Sequence, residues 1–289
     1  MPLWKSLLLH LYYYGTLPWR ARRNRAEAAL GRAPIVSLFY HRIADDGAGE
    51  WTYPTGLFRR QMEWLARRFD MISLEEAQRR IRSGENRRPA VCITFDDGYA
   101  ANCEQALPLL LEAQIPCTYF VSVENVLHGK PFAHDVARRR PLAPNTVEQL
   151  KELSACGIEI GCHTRTHADL GAIRGRERLY DEIVTAGEEL QAAIGQPMRY
   201  FAFPYGQYAN LNAEAFHLAY EAGFDGVCSA YGGVNLPGDD AFHIQRVPGD
   251  PTMIRLKNWL TGDPRKRAIR RFEYDRNLGS RNVEGAAKP

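Results

Sequence analysis

From Ile35 onward the chain alternates short runs rich in β-branched and aromatic residues with longer stretches of helical patterning. That alternation restricts it to a parallel sheet or barrel built from βα units, because each helix carries the chain back to the end where the next parallel strand must start. The strand candidates are "IVSLFY", "AVCITF", "CTYFVS", "IEIGC", "YFAFP", "GVCSA" and, more weakly patterned, "HIQRV". Helical spacing of apolar residues falls between them, over 58–68, 74–81, 103–113, 147–155, 176–194 and 214–222. Ser73-x-x-Glu76 and Thr146-x-x-Gln149 fit a capping box and mark two helix starts.

With 289 residues, of which 45% are hydrophobic, the chain has material for one large core, and one domain is the simplest count. A net charge of +3 is too small to argue for a nucleic-acid partner, and none is expected. The six cysteines are far apart, form no C-x-x-C pair and sit partly in apolar runs, so they read as buried free thiols. That usage favours the cytoplasm or the cytoplasmic face of a membrane, with export left open.

Residues 6–19, "SLLLHLYYYGTLPW", are apolar and aromatic and are followed by Arg20, Arg22, Arg23 and Arg25. The run is too short to span a bilayer and a poor signal peptide. Two readings stay open: a helix docked on the domain, or a peripheral anchor whose arginines face anionic lipid.

Every chemically promising cluster follows a strand candidate. His41 follows "SLFY", Asp96 and Asp97 follow "VCITF", His163 follows "EIGC", and Pro204-Tyr205-Gly206 follows "YFAF". In barrel enzymes the loops at the C-terminal strand ends carry the chemistry. Two adjacent carboxylates at the end of a buried strand repel each other, so a cation or a proton-transfer task is expected to offset the cost. His163 and His167 are four residues apart, a spacing that aims both imidazoles at one place if the segment turns into a helix. Two histidines and one carboxylate make an open three-ligand site for zinc or a similar divalent ion, which leaves the second carboxylate to act as a base.

In this combination the sequence resembles the NodB-homology polysaccharide deacetylases, carbohydrate esterase family 4. "TFDDGY" (94–99), "HTRTH" (163–167) and "FAFPYG" (201–206) carry the resemblance, with support from "FYHRI" (39–43). It implies a distorted, TIM-like (β/α) barrel of about seven strands in a single domain, and metal-dependent hydrolysis of an N-acetyl group on an amino sugar. Carried over, Asp96 is the general base, Asp97, His163 and His167 hold the metal, and the backbone N–H of Tyr205, in Pro204-Tyr205-Gly206, faces the oxyanion. Two positions depart from the family. Ala202 stands where many members have a base-orienting arginine, which makes Arg199 the candidate substitute. The later motif that supplies a general acid is not clear, leaving His243 as the nearest candidate, with His41 a further catalytic one. His134 lies on a long connection after Ser122 that could cover the substrate.

The expected layout is an apolar and basic arm over 1–32, the deacetylase domain over 33–262, and a basic polar tail over 263–289. The expected substrate is an N-acetylated polysaccharide or lipid-linked glycan. Hydrolysis of a small amide or formylated sugar, and a catalytically weakened glycan-binding barrel, remain as alternatives.

Overall fold

The computed structural model describes residues 3–46, 49, 51–263 and 270–275. Its strands are β1 (Ile35–Tyr40), β2 (Arg42–Ile43), β3 (Thr52–Tyr53), β4 (Asp70–Met71), β5 (Ala90–Phe95), β6 (Cys117–Val121), β7 (Glu159–Cys162), β8 (Tyr200–Ala202), β9 (Gly226–Cys228), β10 (His243–Ile244) and β11 (Arg246–Pro248). The helices are α1 (Leu3–Ala29), α2 (Thr55–Ala66), α3 (Leu74–Arg82), α4 (Ala106–Glu112), α5 (Val123–His128), α6 (Ala133–Ala137), α7 (Val147–Ala155), α8 (Arg176–Tyr180), α9 (Ala186–Ile194), α10 (Ala213–Glu221) and α11 (Met253–Leu260). A π-helical stretch, Asp181–Thr185, joins α8 to α9.

All pairings in the main sheet are parallel, in the order β10-β9-β8-β7-β6-β5-β1-β11, with β4 added beside β5. The two ends of this order are one stretch of chain. Residues 243–244 pair with β9 and residues 246–248 pair with β1, so the "HIQRV" segment closes a seven-stave barrel by changing partner at Gln245. Asn235 fills the gap at that change: its Oδ1 accepts from Gln245 N at 2.9 Å, its Nδ2 donates to Gln245 O at 3.0 Å, and its backbone exchanges two bonds with Ile35. The distorted barrel expected from the sequence is the observed fold.

Strand alternation divides the apolar residues into two cores. Val36, Leu38, Tyr40, Val91, Ile93 and Phe95 point outward and pack under the helices. Ile35, Ala90, Cys92, Phe120, Tyr200, Ala202, Cys228 and Ile244 point inward and fill the barrel. Space inside is tight: a Cβ on Gly161 would lie 2.5 Å from the Phe120 ring, so only glycine admits that ring. Helix α3 seals the end where the strands begin, sending Leu74, Ala77 and Ile81 into the inner core. Gln78 ties this plug down, donating to Asp225 O and Ala241 O and accepting from the Tyr200 hydroxyl. Ser73 caps α3 through the Glu76 N–H, and Thr146 with Gln149 completes the capping box of α7.

The N-terminal arm is one helix lying against α11. Tyr13 and Arg20 are buried there, Asn24 Nδ2 donates to Thr261 O at 3.0 Å, and the Tyr12 hydroxyl donates to Asp263. No helix among the described residues is long and apolar enough to cross a membrane. Most of the expected 263–289 tail lies outside the described residues. Where described, Phe272 and Tyr274 stack on Phe216, 5.5 and 4.1 Å between ring centres, so this part packs on the barrel wall.

All six cysteines are unpaired, and Cys92, Cys117, Cys162 and Cys228 are buried. Burial pushes the Cys162 and Cys228 thiols up to about 12, so they stay protonated and unreactive in the folded state. Thiol titration of the unfolded, unreduced protein is expected to find six groups, against none or one for the buried four in the native state; a total of four or fewer would show disulfides that this fold does not contain.

Candidate active site

Inward alternation in four strands runs straight into four polar residues. Ile35, Ser37 and Phe39 lead to His41; Ala90, Cys92 and Thr94 lead to Asp96; Gly161 leads to His163; Ile244 leads to Arg246. The same two-residue period that packs the barrel therefore delivers these side chains to its C-terminal end.

Asp96 and Arg246 form a fully buried, two-pronged ion pair, Nη1 to Oδ1 at 2.6 Å and Nη2 to Oδ2 at 2.9 Å. The guanidinium donates in addition to Thr94 Oγ1 and to Ser229 O, both at 3.0 Å, and lies between the Phe39 and Phe120 rings. Burial alone would raise the pKa of Asp96. The Arg246 charge, aided by His163 and His41, outweighs it and holds the carboxyl below its ordinary value.

Asp97 would point to the outer face by strand parity. A left-handed backbone at φ 73° redirects it, and the following Gly98 at φ 98° has Val121 3.1 Å from where a Cβ would stand. The turn brings Asp97 Oδ1 to 3.6 Å from His163 Nε2 and 3.2 Å from His167 Nε2. His163 Nδ1 donates to Ala202 O at 2.8 Å, because a carbonyl can only accept; its Nε2 therefore presents a lone pair to Asp97. Burial lowers this imidazole to about 4, so it is neutral. Asp97 Oδ1, buried, receives no hydrogen bond from any described residue.

The lone pairs of His163 Nε2 and Asp97 Oδ1 face one another across 3.6 Å, which is repulsive unless a cation sits beside them; burial would lower the His167 pKa, but the Asp97 carboxylate 3.2 Å away outweighs it and raises it, so this imidazole too is drawn to the same oxygen. Ligand atoms held tetrahedrally at ordinary zinc distances are about 3.4 Å apart, so the spacing fits a divalent metal. Asp97, His163 and His167 are the cluster among the described residues whose ligand atoms converge in this way, all within 4.8 Å.

The two histidines are not on a helix, contrary to the expectation drawn from their spacing. Residues 163–167 form a loop with Thr164 and His167 at positive φ. Glu182, in the π-helical stretch, holds this loop: its carboxylate accepts from Thr166 N at 3.0 Å and Thr166 Oγ1 at 2.6 Å, and its backbone O accepts from Arg165 N. Such π stretches occur often at functional sites.

These groups line a cavity of about 250 Å³ together with Phe39, Trp51, Phe203 and Tyr205. The His41 ring packs against that of Trp51, 4.8 Å between centres and tilted by 37°; its buried Nδ1 has no partner among the described residues, and burial lowers its pKa. Tyr205 stands at φ 59° after Pro204, with its ring 5.1 Å from that of His167, and no described residue accepts from its N–H. The long connection does reach the site, where His134 and Arg138 form part of the wall.

Two sequence candidates do not belong here. His243 has outward parity: it bonds Ser229 Oγ at 2.9 Å and is enclosed by Phe216, Tyr231 and Tyr274 rather than facing the cavity. Burial lowers its pKa to about 3. Arg199 precedes β8, at the opposite end of the barrel, and pairs with Asp225, Glu75 and Glu159. The place expected for it beside Asp96 is taken by Arg246.

A sequence profile of the family described as polysaccharide deacetylase matches residues 83–227, half of the chain. The chain belongs to the polysaccharide deacetylase family. Among relatives of that family, YxkH of Bacillus subtilis (strain 168), a polysaccharide deacetylase by name, is 24% identical over 225 residues, covering 76% of this chain and 73% of its own. A chitooligosaccharide deacetylase of Bradyrhizobium sp. (strain ANU 289) is 30% identical over 119 residues, 40% of this chain and 46% of its own, so the match spans about half of that relative. The solved structure of IcaB from Ammonifex degensii superposes with a TM-score of 0.65 at 26% identity, over 79% of this chain and 97% of that one.

Because Arg246 depresses the Asp96 pKa, the pair stabilises the fold above the unfolded aspartate value and loses that contribution as pH falls through the lower folded value. Arg246→Met strands a buried carboxylate and is expected to cost about 3–5 kcal/mol in denaturant unfolding. It should also move the acidic limb of the kcat/KM profile up by roughly one to three pH units, whereas Arg246→Lys, which keeps the charge, should move it less. An unmoved limb in Arg246→Met would mean that the guanidinium does not set the ionisation of Asp96.

Proposed function

We propose that this family member removes acetyl groups from N-acetylated amino sugars of a glycan, with Asp96 as general base beside a divalent metal held by Asp97, His163 and His167. The observation that carries the reading is the separation of two adjacent aspartates: one is locked to Arg246 on the inner wall, the other turned toward the imidazoles of His163 and His167. A metal in that place supplies Lewis acidity, polarising the acetamide carbonyl and making a bound water acidic. Zinc suits two nitrogens and one carboxylate, and other borderline transition metals suit them too.

The chain's own residues supply the rest. Each Asp96 oxygen spends one lone pair on Arg246 and keeps another, so the carboxylate stays ionised, fixed in orientation and able to take the proton of the attacking water. The Tyr205 N–H donates to the acetyl carbonyl oxygen, where negative charge develops as water attacks the carbonyl carbon. When the C–N bond breaks, the leaving amine needs a proton. His41, with an unpartnered ring nitrogen in the same cavity, is the second proton carrier, relaying the one that Asp96 took up. The products are acetate and a free amine.

Trp51 and Tyr205, the exposed aromatic rings of the cavity, are the ones available to the C–H side of a sugar ring, with the buried Phe39 and Phe203 behind them, while the small cavity holds one ring at the point of cleavage. A second cavity of about 410 Å³ shares Trp51, His134 and Arg138 with the first and adds Arg42 and Arg140. That continuation favours a glycan of several units over a small amide, and the intact Asp96 arrangement favours catalysis over binding alone.

The test is acetate release from N-acetylglucosamine oligomers, measured beside metal content. Asp96→Asn should keep about one metal per chain and lose roughly 100-fold or more in kcat, beyond rescue by added metal. Asp97→Asn should lose metal and recover partly when it is supplied in excess. Metal lost from the first variant and kept by the second would reverse the two roles. His41→Ala should lower kcat by on the order of 100-fold with little change in KM; an unchanged kcat would leave both proton transfers to Asp96.

A further inference from the structure

We propose that α1 fastens the protein to an anionic lipid surface, lying along it with its outer face in the headgroup layer. Among the described residues only one side of α1 is used by the fold: Tyr13 and Arg20 are buried against the α11 region, with Asn24 bonded to Thr261 O. The other side carries Leu3, Trp4, Leu7, Leu8, Leu11, Tyr14 and Trp19, which are 53 to 85% exposed and make up half of the fourteen large apolar side chains exposed among the described residues. Elsewhere such residues are scattered singly, which is ordinary; seven on one helix are a surface prepared for a partner.

The spacing fixes what that partner is. Leu3, Leu7, Leu11 and Tyr14 recur every three or four residues on one stripe, and the same stripe continues into exposed Arg22 and Arg25. Lys5 lies over the Trp4 ring and Arg23 over the Trp19 ring, so both cations can extend from the edge of the apolar face. No aspartate or glutamate occurs before Glu27. An apolar stripe that turns purely cationic complements acyl chains under anionic headgroups, with Trp4, Tyr14 and Trp19 at the depth where aromatic residues concentrate. A second copy fits poorly: a two-fold contact must match the stripe to itself, and no carboxylate on it could meet the arginines. Spanning the bilayer is excluded by the shortness of the apolar run, which ends at Trp19 and gives way to Arg20, Arg22, Arg23 and Arg25 within the same helix.

The attachment leaves the catalytic cavity open. The described partners of α1, Thr261 and Asp263, follow the C-terminus of α11, at the end of the barrel where the strands begin, whereas the cavity lies where they end. Lipid binding is therefore separable from turnover.

The experiment uses the full chain in sedimentation with vesicles of phosphatidylcholine alone or with about one-third phosphatidylglycerol. The chain is expected to pellet with the anionic vesicles at least roughly tenfold more strongly than with neutral ones, and less at high salt. Leu7→Glu/Leu8→Glu/Leu11→Glu should abolish pelleting. Arg22→Ser/Arg25→Ser should lose most of the preference for anionic lipid. Because these side chains are exposed, both variants should keep the wild-type unfolding midpoint and unchanged acetate release from a soluble oligomer. Absence of pelleting by the wild type, or equal pelleting by the glutamate variant, overturns the proposal. So does a wild-type dimer in lipid-free solution that the glutamate variant converts to monomer, since the face would then belong to a second copy.

Discussion

The buried pair between Asp96 and Arg246 ties the chemistry to the architecture. Arg246 opens β11, the half of the closing segment that pairs with β1, and its guanidinium reaches across the barrel to the end of β5. Closing the barrel and orienting the Asp96 carboxylate are thus one event. A buried ion pair of this kind is not a cheap source of stability, because desolvating both charges offsets most of their attraction. Here the fork geometry, the bonds to Thr94 and Ser229 and the flanking Phe39 and Phe120 rings satisfy the arginine, so the carboxylate can stay charged in an otherwise apolar interior.

Strain is concentrated at the same end. Of the six non-glycine residues at positive φ among the described residues, Asp97, Thr164, His167 and Tyr205 are at or beside the site. Each costs about 1–3 kcal/mol and persists only where its surroundings enforce it. Glu182 enforces the histidine loop, and the close approach of Gly98 to Val121 enforces the aspartate turn. The result is that potential ligand atoms of Asp97, His163 and His167 are preset within 4.8 Å of one another, so under the proposed function little has to move when a cation enters.

Much of this was legible in the sequence. The strand runs, including "HIQRV", gave the barrel, and "TFDDGY" with "HTRTH" gave its polar cluster. Arg246 was also within reach. Counting by twos from the inward Ile244 puts an arginine in a barrel interior, a placement that demands a carboxylate partner, and the same count turns His243 outward. Arg199 fails for a related reason, since it stands before its strand and so at the wrong end. What no local pattern could disclose were features made by distant contacts: the left-handed turn of Asp97, the loop rather than helix at 163–167, and the hold of Glu182 upon it. Short β2 and β3, which flank the loop bearing Trp51, carry too few residues for a periodic signal.

The central claim is that one aspartate belongs to the metal and its neighbour to Arg246. Anomalous diffraction at the zinc edge, from crystals of the intact protein soaked with zinc, tests it most directly. The account predicts a single strong peak at about 2 Å from Asp97 Oδ1, His163 Nε2 and His167 Nε2, with Asp96 still in its two bonds to Arg246. A peak liganded by Asp96, or an Asp96 that leaves Arg246 to reach the metal, would contradict it.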